Sequence, residues 1–241
     1  MTSCNLMVDL FSLEQLSLPL AIRDEDTFAN FLAKGNEMVL SMLNGMWEVD
    51  KGDVYFLFGA NSSGKTHLLQ AACHDASQRG MRAIYFPARE LIRLEVEILQ
   101  GCETLDLVCV DDVEILLGDP EWELGLFTLY NRLKDSGKTL LISSACAVTQ
   151  LNCQLADLKS RLQHGVGLRL LEPDEHQKAE IFQFRARLRG LEVTEEVMTF
   201  IMRRSQRSLG DLLHVLQKLD DVSLSAKRKL TVPFVKQSLG W

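Results

Sequence analysis

Nothing in these 241 residues is apolar for long enough to cross a bilayer, and no leader with a charged start and an apolar middle opens the chain. Both absences point to a cytosolic location, so a cytoplasmic protein is expected. The six cysteines, Cys4, Cys73, Cys102, Cys109, Cys146 and Cys153, form no C-x-x-C pair. Together with the scattered histidines they offer no zinc-type spacing, and free thiols suit a reducing compartment. An excess of positive charge is missing too. Lys and Arg number 26 against 33 Asp and Glu, a formal charge of −7. That balance argues against non-specific nucleic-acid binding by the whole chain and leaves room for a local basic patch. Internal repeats and low-complexity stretches are absent as well. What is present, 46% hydrophobic and 24% charged residues, is the composition of an ordinary globular protein. The length allows one large domain or a medium one with a small companion.

One stretch organises the rest. Gly59-Ala60-Asn61-Ser62-Ser63-Gly64-Lys65-Thr66 fits G-x-x-x-x-G-K-[ST]. The apolar run Val54 to Phe58 precedes it, and a helical pattern opens at His67. Strand, glycine-rich loop and helix are the context a phosphate site needs. Gly59 and Gly64 allow backbone N–H groups to curl inward, and the helix N-terminus adds its positive dipole end. Lys65 would neutralise β- and γ-phosphates, and the Thr66 hydroxyl would hold Mg²⁺. Nucleotide binding is therefore expected.

A second acidic element supports it. Val108-Cys109-Val110-Asp111-Asp112 ends a near-continuous apolar run in the manner of a Walker-B strand. Ligands of open α/β sheets bind outside the carboxyl ends of the strands, which brings these carboxylates near Lys65 and Thr66. Asp111 would hold Mg²⁺ directly or through water, and Asp112 could orient or activate an attacking water. Ser143-Ser144 closes the next strand, either as phosphate-sensing hydroxyls or as ordinary turn formers. Arg161 sits near a helix end, as a surface residue paired with an acid or as a finger reaching a neighbour's nucleotide.

The periodicity predicts a helical stretch from about residue 24 to Met46, strands at 53–58, 81–86, 105–110, 139–144 and 166–170, and helices to Gln78, near 88–101, at 121–136 and at 155–162. The segment before the first strand is a candidate base-binding wall. Alternation of this kind with a P-loop means a parallel sheet with helices on both faces. After Glu172-Pro173-Asp174 only helical patterns remain, near 174–189, 194–203, 208–221 and 231–238. The expected division is a tail at 1–22, an α/β base at 23–171 and a small helical domain at 172–241. Within the tail, Gln15-Leu16-Ser17-Leu18-Pro19-Leu20 is either a docking peptide that orders on a partner or a segment folded back on its own domain. Arg185, Arg187 and Arg189 read as solvated or paired with nearby acids.

Taken together, these motifs resemble the AAA+ ATPases of the bacterial replication-initiator group, in particular the short DnaA relatives that work in regulatory inactivation of DnaA. The resemblance runs through Ser63 to Leu69, Leu107 to Asp112, Leu129-Tyr130-Asn131-Arg132, Asp157 to Leu162 and Arg185 to Gly190, as well as the leucine-rich tail. It implies a five-stranded AAA+ sheet followed by a helical lid, with bound ADP or ATP and Mg²⁺. It also implies that Gln15, Leu16, Leu18, Pro19 and Leu20 dock the β sliding clamp on DNA. Arg161 falls at the family's arginine finger and Arg207 at its sensor-2 arginine. DnaA itself would be a partner and self-association is possible, with little direct nucleic-acid contact and no membrane. Initiators continue into a DNA-binding domain where this sequence stops at Trp241, so a regulator is expected rather than an origin binder. The stretch Ala145-Cys146-Ala147-Val148 departs from the family's usual Asp-Arg pair followed by prolines, and with it the sensor-1 expectation is weakened. Two other readings remain open: a free-standing, helicase-loader-like ATPase using Asp112 for its own turnover, and a P-loop kinase.

Overall fold

A computed structural model describes residues 22–48, 52–205, 208–226 and 230–241. Its centre is a sheet of five parallel strands in the order β2-β3-β4-β1-β5, with β1 at Val54–Phe58, β2 at Ala83–Pro87, β3 at Leu107–Asp111, β4 at Thr139–Ser144 and β5 at Val166–Arg169. The central strands β1, β3 and β4 are buried along almost their whole length because both faces are covered. Side chains alternate between two cores. Val54, Phe56, Val108, Val110, Leu140 and Ile142 face one, and Tyr55, Leu57, Leu107, Cys109 and Leu141 face the other.

Helices α1 (Glu37–Asn44) and α2 (Lys65–Gln78) cover the second face through Val39, Leu43, Leu68, Leu69 and Ala72. The first face is covered by α4 (Pro120–Asp135) and α5 (Ala156–His164) through Trp122, Leu126, Leu129, Leu133, Leu158 and Leu162. Between β2 and β3 stands the short α3 (Ala88–Leu91). Local chemistry sets the boundary of α4. Asp119 accepts from the Glu121 and Trp122 N–H groups, and Pro120 occupies the first helical position.

From residue 175 onward the described chain is helical: α6 (Glu175–Leu188), α7 (Glu195–Arg204), α8 (Leu209–Ala226) and α9 (Val232–Leu239). These helices close a third core around Phe182, Ile201, Leu212, Leu216 and Val235. Asp174 and Gln177 form a reciprocal capping box at the start of α6. The expected fold class, a five-stranded parallel AAA+ sheet with flanking helices and a small helical lid, is the one observed.

Two expected helices are shorter than their pattern. The stretch from 24 to 46 forms a 3₁₀ turn at Phe28–Asn30 and then α1 only, because the backbone at Lys34 and Gly35 takes positive φ and breaks the run. The expected 88–101 helix stops after Leu91 and continues as 3₁₀ turns at Val96–Leu99 and Cys102–Thr104. Here packing overrides period: Val96 sits where Gly125 of α4 has no side chain, and a Cβ there would lie 2.2 Å from Val96 Cγ2.

Candidate functional site

The loop from Gly59 to Gly64 leaves the centre of the sheet and enters α2 at Lys65. The Gly59 N–H donates to the Ser144 carbonyl at 3.2 Å, and a Cβ at Gly59 would lie 2.4 Å from the Leu170 carbonyl oxygen. Only glycine fits between those two strand ends. Ser62 and Gly64 both carry positive φ, 62° and 105°, which curls the loop. Lys65 is buried, and its ammonium donates to the Gly59 and Ala60 carbonyls at 2.9 and 3.1 Å. Gly59→Ala is accordingly expected to destabilise the fold by about 1–3 kcal/mol through overpacking against main chain. Chemical denaturation measures it, and an unchanged midpoint would contradict the close approach.

β3 delivers the acidic pair to the same place. The Thr66 hydroxyl donates to Asp111 Oδ2 at 2.7 Å, the Tyr85 hydroxyl donates to the same oxygen at 2.7 Å, and Ser143 Oγ donates to Oδ1. Asp112 takes a left-handed backbone conformation (φ 56°), with its N–H on Ser143 Oγ at 2.9 Å. That conformation is costly for a non-glycine residue and is held here by its surroundings. Burial first, and then the charges of Asp111 and Glu114, raise the Asp112 carboxyl above its ordinary range, against the pull of Lys65 and Arg89. Arg89 stands 3.6 Å from Asp112 Oδ2 across the mouth of the site. Ser143 therefore braces the acidic pair from beneath, and Ser144 Oγ accepts from the Cys146 N–H at 3.3 Å.

An open cleft of about 760 Å³ runs from this loop to the helical domain, between Lys65, Thr66, Arg89 and Asp112 on one side and Leu209, Gly210, Leu213 and His214 of α8 on the other. A smaller apolar recess beside it is formed by Phe31, Leu32, Ala33, Ile181 and Leu213. The start of α8 leans on the loop, for a Cβ at Gly210 would lie 3.0 Å from Ser62 Oγ. Thr66 and Asp111 are hard oxygen donors, close together and few, which suits Mg²⁺, an ion that keeps several waters. Among the described residues no group of three or more His, Cys, Asp or Glu could hold an ion unaided.

His67, expected with Gly59 to Thr66 to bind the nucleotide, lines the cleft, but both of its ring nitrogens are engaged by the segment before α1. Nδ1 lies 2.9 Å from Asp26 Oδ1 and Nε2 lies 2.8 Å from the Thr27 carbonyl. Beside it, Arg185 Nη2 lies 3.1 Å from both Asp26 Oδ1 and Glu25 Oε1, while Arg189 Nη2 reaches Glu25 Oε2 at 2.6 Å. Lys34 and Glu180 add a further pair at 2.9 Å. This clasp joins the segment before α1 to α6 over one end of the cleft. Arg185 and Arg189 are thus paired with acids, as the sequence allowed, though distant ones and mostly out of solvent, and Arg187 is exposed.

Arg161 is exposed on α5, its guanidinium 6.0 Å from the ring centre of the buried Tyr130. It is not among the residues that line the cleft. The Gln15–Leu20 peptide and Arg207 lie outside the described residues. Sequence reasoning missed Tyr85, Arg89 and the Glu25–Asp26 pair. A tyrosine in an otherwise aliphatic strand, and two arginines four residues apart on one helix, were the available signals.

Residues 23–169 match the family model described as the bacterial DnaA ATPase domain. The chain belongs to that family. Residues 175–239 match a second model, described as the Hda lid domain, so this DnaA-related AAA+ chain carries an Hda-like lid. Among solved structures, domain III of DnaA from Thermotoga maritima superposes with a TM-score of 0.74 at 24% identity, covering 91% of this chain and 98% of that one. AMPPCP-bound DnaA from Aquifex aeolicus gives 0.70 at 24%, covering 84% and 67%. The Thermotoga maritima RuvB branch-migration motor gives 0.61 at 17%, covering 86% and 69%. At these identities the structures speak for the fold, and the family match places this DnaA relative in the replication-initiation group of AAA+ proteins. No helix among the described residues is long and apolar enough to cross a membrane.

Proposed function

We propose that this DnaA relative is a negative regulator of replication initiation. It binds ADP or ATP with Mg²⁺ in the cleft, docks the β sliding clamp on DNA through Gln15, Leu16, Leu18, Pro19 and Leu20, and promotes hydrolysis of ATP bound to DnaA in the cytoplasm. Lys65 and the loop N–H groups would hold the phosphates, Thr66 and Asp111 would hold the metal, and Arg207 would be the sensor-2 arginine for the nucleotide. Arg161 is the arginine supplied in trans. The observation that most supports this reading is the position of Arg161: exposed, seated over Tyr130 and apart from its own cleft, as a group acting on a neighbour's nucleotide must be. When bound, Mg²⁺ neutralises phosphate charge, and Lys65 and the curled backbone do the orienting.

The test is hydrolysis of radiolabelled ATP on DnaA in the presence of DNA-loaded clamp, using the intact chain and a Leu18→Ala/Leu20→Ala variant. The variant should lose both clamp binding and stimulation. Unchanged clamp binding would remove the tethered-regulator reading. The place of Asp112, lining the cleft beside Lys65 and Thr66, favours a second reading, a free-standing ATPase with its own turnover. Substantial ATP hydrolysis by the chain alone, without clamp or DnaA, would put that reading first.

A further inference from the structure

Asp111 is almost wholly buried, and hydroxyl groups from three different elements close on its carboxylate. Thr66 and Tyr85 share Oδ2, and Ser143 holds Oδ1. Of these, Thr66 is the one placed to serve a metal ion. A Thr66 hydroxyl that turns to the metal leaves Oδ2 with a single protein donor, the phenol of Tyr85. That phenol is fixed in its turn. Tyr85 is buried in the strand next to β3, with its hydroxyl on Asp111 Oδ2. The Gln70 side chain, buried on α2, lies near the same hydroxyl. Gln70 Oε1 accepts the Arg23 backbone N–H at 3.0 Å, which leaves its NH₂ group as the end that can face the tyrosine. The Arg23 carbonyl meets His74 Nε2 at 3.0 Å, so α2 grips residue 23 from both sides.

We propose that Tyr85 and Gln70 are positioning residues for Asp111, a relay from α2 and β2 that keeps the carboxylate aimed while Thr66 serves the metal ion. The inference deepens the nucleotide-binding reading and rests on it. Partners that orient a metal-binding carboxylate are worth about tenfold or more in metal affinity. The relay therefore acts on the gain that Mg²⁺ gives to nucleotide affinity rather than on the metal-free affinity.

The experiment titrates the full chain with N-methylanthraniloyl-ADP, once in Mg²⁺ and once in EDTA, and reads the ratio of the two affinities. Tyr85→Phe keeps the ring in the core and removes only the hydroxyl. Its ratio should fall about tenfold while its affinity in EDTA stays within about twofold. Gln70→Met should move the ratio the same way by less. The double variant should match Tyr85→Phe, because both changes act through one hydroxyl. A ratio unchanged from wild type in folded Tyr85→Phe would overturn the proposal, as would equal losses in Mg²⁺ and EDTA, which is what loosened packing would give. Should Tyr85→Phe fail to fold, Gln70→Met decides by the same ratio. A wild-type chain that binds the probe in neither buffer would overturn the nucleotide reading and this inference with it. Binding by wild type with no Mg²⁺ gain would overturn the inference alone.

Discussion

Arg161→Ala is expected to lower the stimulated hydrolysis of DnaA-bound ATP by about 10³-fold or more, the range that arginine fingers supply in trans. The reason is electrostatic: a guanidinium placed on the transferring phosphoryl group offsets charge that develops only in the transition state. The substitution is a clean one here. Arg161 is exposed, and α5 is held to the sheet by Leu158 and Leu162, which are buried and untouched. Clamp binding and nucleotide binding by the variant should therefore match wild type. Arg161→Lys should rescue little, because a point charge does not reproduce the planar fork. Stimulation unchanged in a folded Arg161→Ala protein would end the trans-finger mechanism.

The parts of this site that could be read in the sequence are those whose geometry is local. Gly59 to Thr66 is a continuous run whose spacing forces a turn between a strand and a helix, and Asp111 follows an apolar strand that can end only at the same sheet edge. Tyr85 was not legible in that way. It meets Asp111 because β2 and β3 are neighbours in the register Tyr85↔Cys109, a fact of sheet order that no short pattern contains. The clasp was hidden for the same reason, since Glu25 and Asp26 stand far along the chain from Arg185 and Arg189. The failed helix near residues 92–101 teaches the opposite lesson. Its apolar spacing was real, but the notch at Gly125 draws Val96 inward and packing decides the backbone.

The clasp gives the second large effect. Arg185→Leu should destabilise the protein by about 3–5 kcal/mol at neutral pH, because it leaves the carboxylate of Asp26 buried with only His67 to face it. An exposed control, Arg187→Leu, should stay within about 0.5 kcal/mol. The pH dependence separates charge from packing. For Glu25 and Asp26, burial works to raise the carboxyl groups, yet hydrogen bonds and charge from Arg189, Arg185 and His67 prevail and hold both below the ordinary range. A carboxylate lowered on folding stabilises the native state above its unfolded pKa, near pH 4, and that contribution is lost as pH falls through the folded value. The gap between wild type and Arg185→Leu should thus be widest near neutrality and narrow as the solution is acidified below about pH 4. Urea midpoints at neutral and acidic pH measure it. A gap that does not change with pH would assign the effect to packing, and a gap under about 1 kcal/mol at neutral pH would mean that the clasp adds little.

The order of the strands also governs when the phosphate loop can exist during synthesis. Gly59 is pinned between the main chain of Ser144 and that of Leu170, and β1 pairs with β4 and β5 but with neither strand that follows it directly. A ribosome that has released β1, β2 and β3 has released no partner for β1. The chain must emerge past Leu170 of its 241 residues before the loop acquires its walls, and such long-range pairing is slow to nucleate. Nucleotide therefore cannot steady the nascent chain while its most apolar strand waits unpaired, and the hours-old protein and the newborn one differ in what can protect them.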